Sequence, residues 1–220
     1  MITNLGLPTE VAQKITRYAK LRSFNFGEML FNVGDDAPCV YLIKQGRVKM
    51  CHIAEDGDIV TYFPHLEGEL VGLGGVVDER SRTAMAVVDS EDCLLWQISA
   101  SDFKQLMLTD PQVSYFVAVM AVKRFGVLGT QYRRHVSMGV KDRLPSVLLD
   151  LATRTGVKKG DTISIKITQQ DLADIMGVCR QRTSDIIQML KAEGIVETRR
   201  GYIIIKDIRK LQTLAGQAVF

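Results

Sequence analysis

The segment between residues 167 and 205 constrains this chain more than any other, because it carries the signals of two short helices joined by a tight turn. Thr168 followed by Asp171 is the pattern of a capped helix start. Gly177 ends that helix, since glycine readily adopts the positive φ that a tight turn needs. A second helix is predicted to start near Arg180, with apolar residues at spacings of one, three and four: Ile186, Ile187 and Leu190.

The second helix carries hydrogen-bonding side chains opposite its apolar face: Arg180, Gln181, Ser184, Asp185 and Gln188. After it, residues 195–198 and 202–205 predict a hairpin whose tip contains Arg199 and Arg200. In a helix-turn-helix the second helix enters the major groove and its first residues reach base edges, while basic side chains bind phosphates. The segment therefore predicts a winged helix-turn-helix that binds double-stranded DNA.

The distribution of charge favours this interpretation over a helical hairpin packed in an ordinary core. From residue 141 onward the chain has fourteen Lys and Arg against nine Asp and Glu, whereas the first 140 residues have fourteen against sixteen. A DNA-binding domain needs a basic excess because neutralisation of phosphates supplies much of its affinity. A core hairpin has no such requirement.

The region from residue 24 to 98 consists of short strand-like runs separated by turn signals, which is typical of a sandwich or barrel. The runs are Met29–Phe31, Cys39–Ile43, Val48–Ile53, Ile59–Phe63, Thr83–Val88 and Cys93–Trp96. The turn signals include Gly34-Asp35-Asp36, Gln45-Gly46, Asp56-Gly57 and Asp89-Ser90.

A helical pattern then runs from Phe103, pauses at Asp110-Pro111 and continues to about Ser137. Its apolar stripe is wide enough for a dimer seam, for which we expect Met120, Phe125, Leu128 and Tyr132. The alternative is that this helix only packs on the barrel. Dimerisation is favoured because a helix-turn-helix usually needs two copies to bind two half-sites.

Composition narrows the class of protein. A chain of 220 residues that is 46% hydrophobic can bury two cores. We expect no signal peptide, and no apolar run reaches the roughly 20 residues that a membrane span requires. We therefore expect a cytoplasmic protein with reduced cysteines and no membrane partner. It also lacks a nucleophile and base at a recognisable spacing, a phosphate loop and a closed set of metal ligands, so we expect no enzyme.

The order of these parts resembles the CRP/FNR family of transcription regulators. The resemblance rests on three segments: Gly68–Gly72 followed by Arg82-Thr83-Ala84, Lys141–Leu144 with Leu148–Ala152, and Thr168–Leu190 with its wing. It implies an α+β chain with a double-stranded β-helix (jelly-roll) sensor domain similar to cyclic-nucleotide-binding domains in residues 1–110. A dimerisation helix would follow in 111–138 and a winged helix-turn-helix in 139–220.

The resemblance also implies a homodimer, a palindromic DNA operator and RNA polymerase as a partner. In that family the positions matching Thr168, Gln169 and Cys179 contact phosphates. The positions matching Arg180, Gln181 and Asp185 face bases. Asp185 stands where the best-known members carry an Arg that binds guanine. A carboxylate accepts from cytosine N4 and cannot donate to guanine, so we expect a different operator.

The sensor residues implied by the resemblance are Gly68, Glu69, Arg82, Thr83 and Leu128. In cyclic-nucleotide members the acid holds the ribose hydroxyl and the Arg holds the cyclic phosphate, and Arg82 is expected to be partly exposed for this role. Leu128 and Gly129, however, stand where those members carry two hydroxyl residues that contact adenine. We therefore expect another effector. A cyclic-nucleotide response and a plain surface ion pair between Glu69 and Arg82 remain the alternatives.

The positions of the cysteines and histidines limit the other sensing chemistries. An iron–sulfur cluster needs four thiolates, and no cysteine precedes Cys39, so this cofactor is not expected. Haem or metal ligation by Cys51, His52 or His65 stays open, although adjacent strand residues point to opposite faces. Cys179 starts the second helix, where redox control is an alternative to phosphate contact.

The sequence thus predicts a homodimeric transcription regulator controlled by a small-molecule or redox signal. The alternative is a nucleotide-binding module whose winged helix contacts only protein.

Overall fold

The computed structural model describes residues 5–53, 59–62 and 64–216, which divide into two compact units, residues 5–127 and residues 128 onward. The elements of the first unit are α1 (Thr9–Thr16), β1 (Lys20–Phe24), β2 (Met29–Phe31), β3 (Cys39–Gln45), β4 (Val48–Ile53), β5 (Ile59–Thr61), β6 (Leu70–Val71), α2 (Leu73–Val77), β7 (Met85–Val88), β8 (Cys93–Ser99) and α3 (Ala100–Thr109). The long helix α4 (Pro111–Ser137) starts in the first unit and ends in the second.

The second unit continues with α5 (Val140–Thr155), β9 (Val157–Lys159), β10 (Thr162–Lys166), α6 (Gln169–Met176), α7 (Arg180–Ala192), β11 (Val196–Arg199), β12 (Tyr202–Ile205) and α8 (Ile208–Gly216). Because the compact units divide inside α4, the helix is shared between them. Its treatment as a separate segment, residues 111–138, stays a prediction.

Two four-stranded antiparallel sheets build the first unit, in the orders β1-β8-β3-β6 and β2-β7-β4-β5. Strand β3 is buried on both faces, because Tyr41 and Ile43 pack in the core between the sheets while Val40 and Leu42 pack under α1, α3 and α4. This alternation follows from the two-residue period of a strand. The arrangement confirms the predicted jelly-roll sensor domain.

The predicted strands are present, with β2 and β4 at the expected bounds and with β3 and β8 longer than expected. The short strand β6 and the edge strand β1 were not predicted. Strand β1 is mostly exposed and carries Lys20 and Arg22, so it lacks the apolar alternation of a half-buried strand. Asp56-Gly57 and Phe63 lie outside the described residues.

Helix α4 has one buried face and one exposed apolar face. Val113, Val117 and Met120 belong to the core of the first unit, and Met120 is only 7% exposed. The prediction that Met120 faces a dimer partner was therefore wrong: the apolar residues of α4 serve two different faces, and the sequence pattern did not separate them. Phe125 and Tyr132 are 76% and 73% exposed, as a seam requires, and Leu128 is half-buried.

As expected, α4 contains no uncharged run of about 20 residues, but it meets a looser test of a membrane span. Residues 111–122 contain no charged side chain, and α4 is long and apolar enough to cross a membrane by length and composition alone. Length and composition do not distinguish a membrane span from an apolar helix that pairs with a second copy.

The second unit is built on a four-stranded sheet in the order β11-β12-β10-β9. Helices α5, α6 and α7 bury their apolar faces, with Leu148, Leu172 and Ile187 essentially inaccessible. Arg134, near the end of α4, forms a 2.6 Å ion pair with Asp150 of α5.

Candidate nucleic-acid interface and sensor site

The start of α6 and the turn after it have the predicted local chemistry. The Thr168 Oγ1 accepts the Asp171 N–H at 3.1 Å, and the Asp171 carboxylate accepts the Thr168 N–H at 3.2 Å. Gly177 has φ +61°, and a Cβ there would lie 2.9 Å from His135 Nε2. The positive φ therefore calls for glycine at this turn, whereas the exposed His135 side chain could move aside for a Cβ. The predicted capping box and turn are confirmed.

Helix α7 starts at Arg180 and buries the three predicted residues, Ile186, Ile187 and Leu190. Thr183, which was not predicted, is buried on the same face. Its first two turns present the predicted DNA-facing residues: Cys179, Arg180, Gln181 and Asp185 are exposed, and Ser184 is half-buried. The Gln181 side-chain Nε2 donates to Asp185 Oδ1 at 2.9 Å.

The hairpin of β11 and β12 forms the wing, with Arg199 and Arg200 exposed at its tip. The two arginines are not equivalent. Arg199 Nε lies 2.9 Å from Glu197 Oε1, and this hydrogen bond holds the pKa of the Glu197 carboxyl below its ordinary value. To contact a phosphate, Arg199 must break this hydrogen bond or use its other guanidinium nitrogens. The sequence did not indicate that Arg199 pairs with Glu197.

A cleft of about 450 Å³ lies between the start of α6, the start of α7 and the wing. Its lining brings together predicted phosphate and base contacts: Thr168, Gln169, Arg180 and Arg199, beside Tyr202. Hydroxyl, amide and guanidinium donors around one open cleft suit the sugar–phosphate backbone of a nucleic acid.

Arg143 holds this arrangement to the end of α4. Its guanidinium is buried, with the residue 7% exposed, and burial lowers its pKa. The Nη1 donates to the Met176 carbonyl at 2.7 Å, and the Nη2 donates to the carbonyls of His135 and Met138 at 3.3 Å. In the sequence, Arg143 stands out only as part of the Lys141–Leu144 motif. No local pattern indicated that one side chain would join the ends of two helices.

In the sensor domain Glu69 is 3% exposed, and its Oε2 lies 3.5 Å from Arg124 Nη1. The Arg124 Nη2 lies 3.0 Å from His65 Nδ1. Arg124 was not among the predicted sensor residues. A signal was present, because Arg124 interrupts the apolar stripe of α4 midway between Met120 and Leu128.

Arg82 is buried among backbone carbonyls of the barrel. It is 3% exposed, its Nη1 donates to the Gly72 carbonyl at 2.6 Å and its Nη2 donates to the Cys39 carbonyl at 2.5 Å. Its guanidinium carbon lies 4.1 Å from the centroid of the Phe31 ring. Burial lowers its pKa. The expectation of a partly exposed Arg82 was wrong, because carbonyls distant in sequence surround it.

The alternative prediction of a surface ion pair between Glu69 and Arg82 was also wrong. Both residues are buried, and Glu69 pairs with Arg124. The other two sensor residues of this unit differ in setting. Thr83 is exposed, whereas Gly68 forms a turn at φ +81° in which its N–H donates to the Ile43 carbonyl. Leu128 lies in the other compact unit.

The four cysteines are free thiols, with Cys39, Cys51 and Cys93 buried and Cys179 exposed. Cys51 faces inward and the adjacent His52 outward, as expected for neighbours on a strand. In the part of the chain that the structure describes, no group of three or more His, Cys, Asp or Glu side chains is placed to hold a metal ion.

Together, the jelly-roll domain, the long helix and the winged helix-turn-helix define a DNA-binding protein with an effector domain. Residues 21–110 match the family described as cyclic nucleotide-binding domain, and residues 142–214 match the Crp-like helix-turn-helix domain. The chain belongs to the CRP/FNR family of DNA-binding transcription regulators.

Known proteins are similar to this chain over most of their length. The cAMP-activated global transcriptional regulator CRP of Haemophilus influenzae is 24% identical over 195 residues, covering 87% of this chain and 86% of that protein. The CRP-like protein Clp of Xanthomonas euvesicatoria is 24% identical over 216 residues, covering 94% and 92%. Among solved structures, the c-di-GMP-responsive global regulator CLP of Xanthomonas campestris has the same fold, with a TM-score of 0.81, 21% identity and coverage of 91% and 100%.

Proposed function

We propose that this regulator is a cytoplasmic homodimer that binds a palindromic duplex site and contacts RNA polymerase from there, under control of a small-molecule or redox signal in the barrel. The observation that carries the DNA-binding part is the exposed polar start of α7 beside the cleft and the wing. Eight of the nine predicted residues would contact DNA, and the ninth, Asp185, lies among them on the exposed face of α7. The eight are Thr168, Gln169, Cys179, Arg180, Gln181, Ser184, Arg199 and Arg200.

The exposed face of α4 supports the dimer. Apolar or small residues recur there at alternating spacings of three and four, which is the heptad pattern of two paired helices: Tyr115, Ala118, Val122, Phe125, Gly129, Tyr132 and Val136. We call this set the α4 seam. A contiguous apolar face of this kind marks an interaction surface. Pairing two copies along it would allow two recognition helices to occupy half-sites about 34 Å apart.

The sensor residues support an effector other than cyclic AMP. Arg82 already donates to two backbone carbonyls, and Glu69 already pairs with Arg124. A cyclic nucleotide or cyclic dinucleotide, as the names of CRP and CLP indicate for those relatives, would have to displace both arrangements. Displacing them would leave buried carbonyls without donors, at a cost of about 1–3 kcal/mol for each group.

Replacing Arg180 tests which face contacts bases. The Arg180→Ala protein is expected to lose about 1–3 kcal/mol of affinity for its selected site and to lose its preference at one base pair, because a bidentate Arg–guanine contact has that value. The measurement is selection from randomised duplexes, followed by titration of the selected site. Unchanged specific affinity would move the base-contacting face elsewhere.

Replacing the wing arginines provides the contrast. Arg199→Ala with Arg200→Ala is expected to weaken binding to every duplex and to flatten its salt dependence by about two units of slope, since phosphate contacts are insensitive to sequence. Failure of the unmodified chain to bind any duplex at low salt would favour the alternative of a nucleotide-binding module that contacts only protein.

Cyclic AMP is expected to bind weakly or not at all. By family resemblance Leu128 and Gly129 leave the adenine edge without hydrogen-bond partners, and Arg82 is held within the barrel. Calorimetry with cyclic AMP, repeated with cyclic di-GMP, measures this directly. Tight, saturable binding of cyclic AMP that also raises affinity for the selected duplex would contradict our choice of effector.

A further inference from the structure

The exposed face of α7 contains a hydrogen bond between two residues that both stand at base-facing positions. Gln181 Nε2 donates to Asp185 Oδ1 at 2.9 Å across one helical turn. Both side chains are exposed. Side chains four residues apart are neighbours on a helix, so the bond orients the Gln181 amide before DNA arrives.

The chemistry of the amide decides which base suits it. The Nε2 carries two hydrogens, and the bond to Asp185 uses one of them. The second hydrogen and the Oε1 remain, and together they match N7 and the N6 amino group of adenine. Asp185 has one carboxylate oxygen committed to Gln181, and its negative charge opposes approach to phosphates.

We propose that Asp185 is a positioning residue that orients the Gln181 amide for adenine and does not itself bind a base. This inference rests on the proposed function, in which α7 faces the major groove. It predicts that the base opposite Gln181 is adenine. It also predicts that the operator needs no cytosine opposite Asp185.

The chain contains a matched control pair. Gln170 Nε2 donates to Asp174 Oδ1 at 2.7 Å, with the same atoms and the same four-residue spacing, on the preceding helix α6. In a helix-turn-helix the first helix crosses the backbone, and the second reaches the bases. Removing the Asp174 carboxylate therefore changes charge near the DNA without disturbing the Gln181 amide.

The experiment selects duplexes from a randomised library with the full chain and with each variant, and it records base preference at every position. Gln181→Ala should remove an adenine preference of about five- to a hundredfold at one position. Asp185→Ala should lower the same preference by about twofold, the contribution of one such helical pair, while raising affinity for all duplexes because a negative charge is lost.

Two further variants separate positioning from charge. Asp185→Asn removes the same charge but keeps an oxygen acceptor, so affinity should rise as with Asp185→Ala while the adenine preference is retained. Asp174→Ala should leave every base preference unchanged.

Three outcomes would overturn the inference. The first is loss of a cytosine preference at a second position in Asp185→Ala, with adenine unaffected, because Asp185 would then bind a base itself. The second is an Asp185→Asn protein that loses the adenine preference as Asp185→Ala does. The third is an Asp174→Ala protein that lowers it equally. If the unmodified chain enriches no sequence at all, the proposed function fails instead, and that result is distinct from these three.

Discussion

The full-length protein carrying Phe125→Asp is expected to sediment as a monomer at concentrations where the unmodified chain is a dimer. Phe125 lies in the middle of the α4 seam and is 76% exposed in the single chain, so its replacement leaves each copy intact. In the dimer the new carboxylate would be buried against its twofold mate without a counter-charge, which costs several kcal/mol, on the order of 3–5. Sedimentation velocity measures the outcome.

Loss of the dimer should also remove specific DNA binding. A single recognition helix contacts one half-site, so affinity for the selected palindrome should fall toward the non-specific level, on the order of a thousandfold lower. The matched control is Leu108→Asp, since Leu108 is 82% exposed on α3 and lies outside the seam. A Phe125→Asp protein that stays dimeric would place the seam on another surface.

Replacing Arg82 is expected to lower the stability of the barrel, and this loss should be its main effect. Arg82→Leu removes the donors to the Gly72 and Cys39 carbonyls and the contact with Phe31. Each of the two orphaned buried carbonyls costs about 1–3 kcal/mol, so the free energy of unfolding should fall by roughly 2–6 kcal/mol. Urea titration followed by circular dichroism measures this.

Arg80 provides the comparison, because it lies two residues away and its side chain is 74% exposed in a surface pair with Asp78. Arg80→Leu should change the free energy of unfolding by less than about 1 kcal/mol. An Arg82→Leu protein as stable as the unmodified chain would contradict the structural role and would restore Arg82 as a free ligand anchor.

The helix-turn-helix could be predicted from the sequence because its determinants are local. The capping pair Thr168 and Asp171, the glycine at 177 and the apolar spacing of α7 all act within a few residues. The same holds for β2 and β4, whose apolar runs end at turn signals. In these segments the local preferences and the final packing agree.

The sensor site could not be predicted to the same depth, because its contacts join distant parts of the chain. Arg82 binds the carbonyl of Cys39, 43 positions away, and Glu69 meets Arg124 on the long helix. The orientation of α4 was ambiguous for a related reason. When a helix has two apolar faces, its periodicity does not show which face packs in the core. Met120 was therefore assigned to the seam, although it belongs to the core.

The three carbonyls held by Arg143 have a mechanical consequence. They belong to the last turn of α4, the bend after it and the end of α6, so these pieces share one buried guanidinium and separate only by breaking its hydrogen bonds. Together with the Arg134–Asp150 pair, this makes the C-terminal turn of α4 and the helix-turn-helix a stiff joint with a set angle. If the last turn of α4 rotates about the helix axis, we therefore expect α6 and α7 to rotate with it.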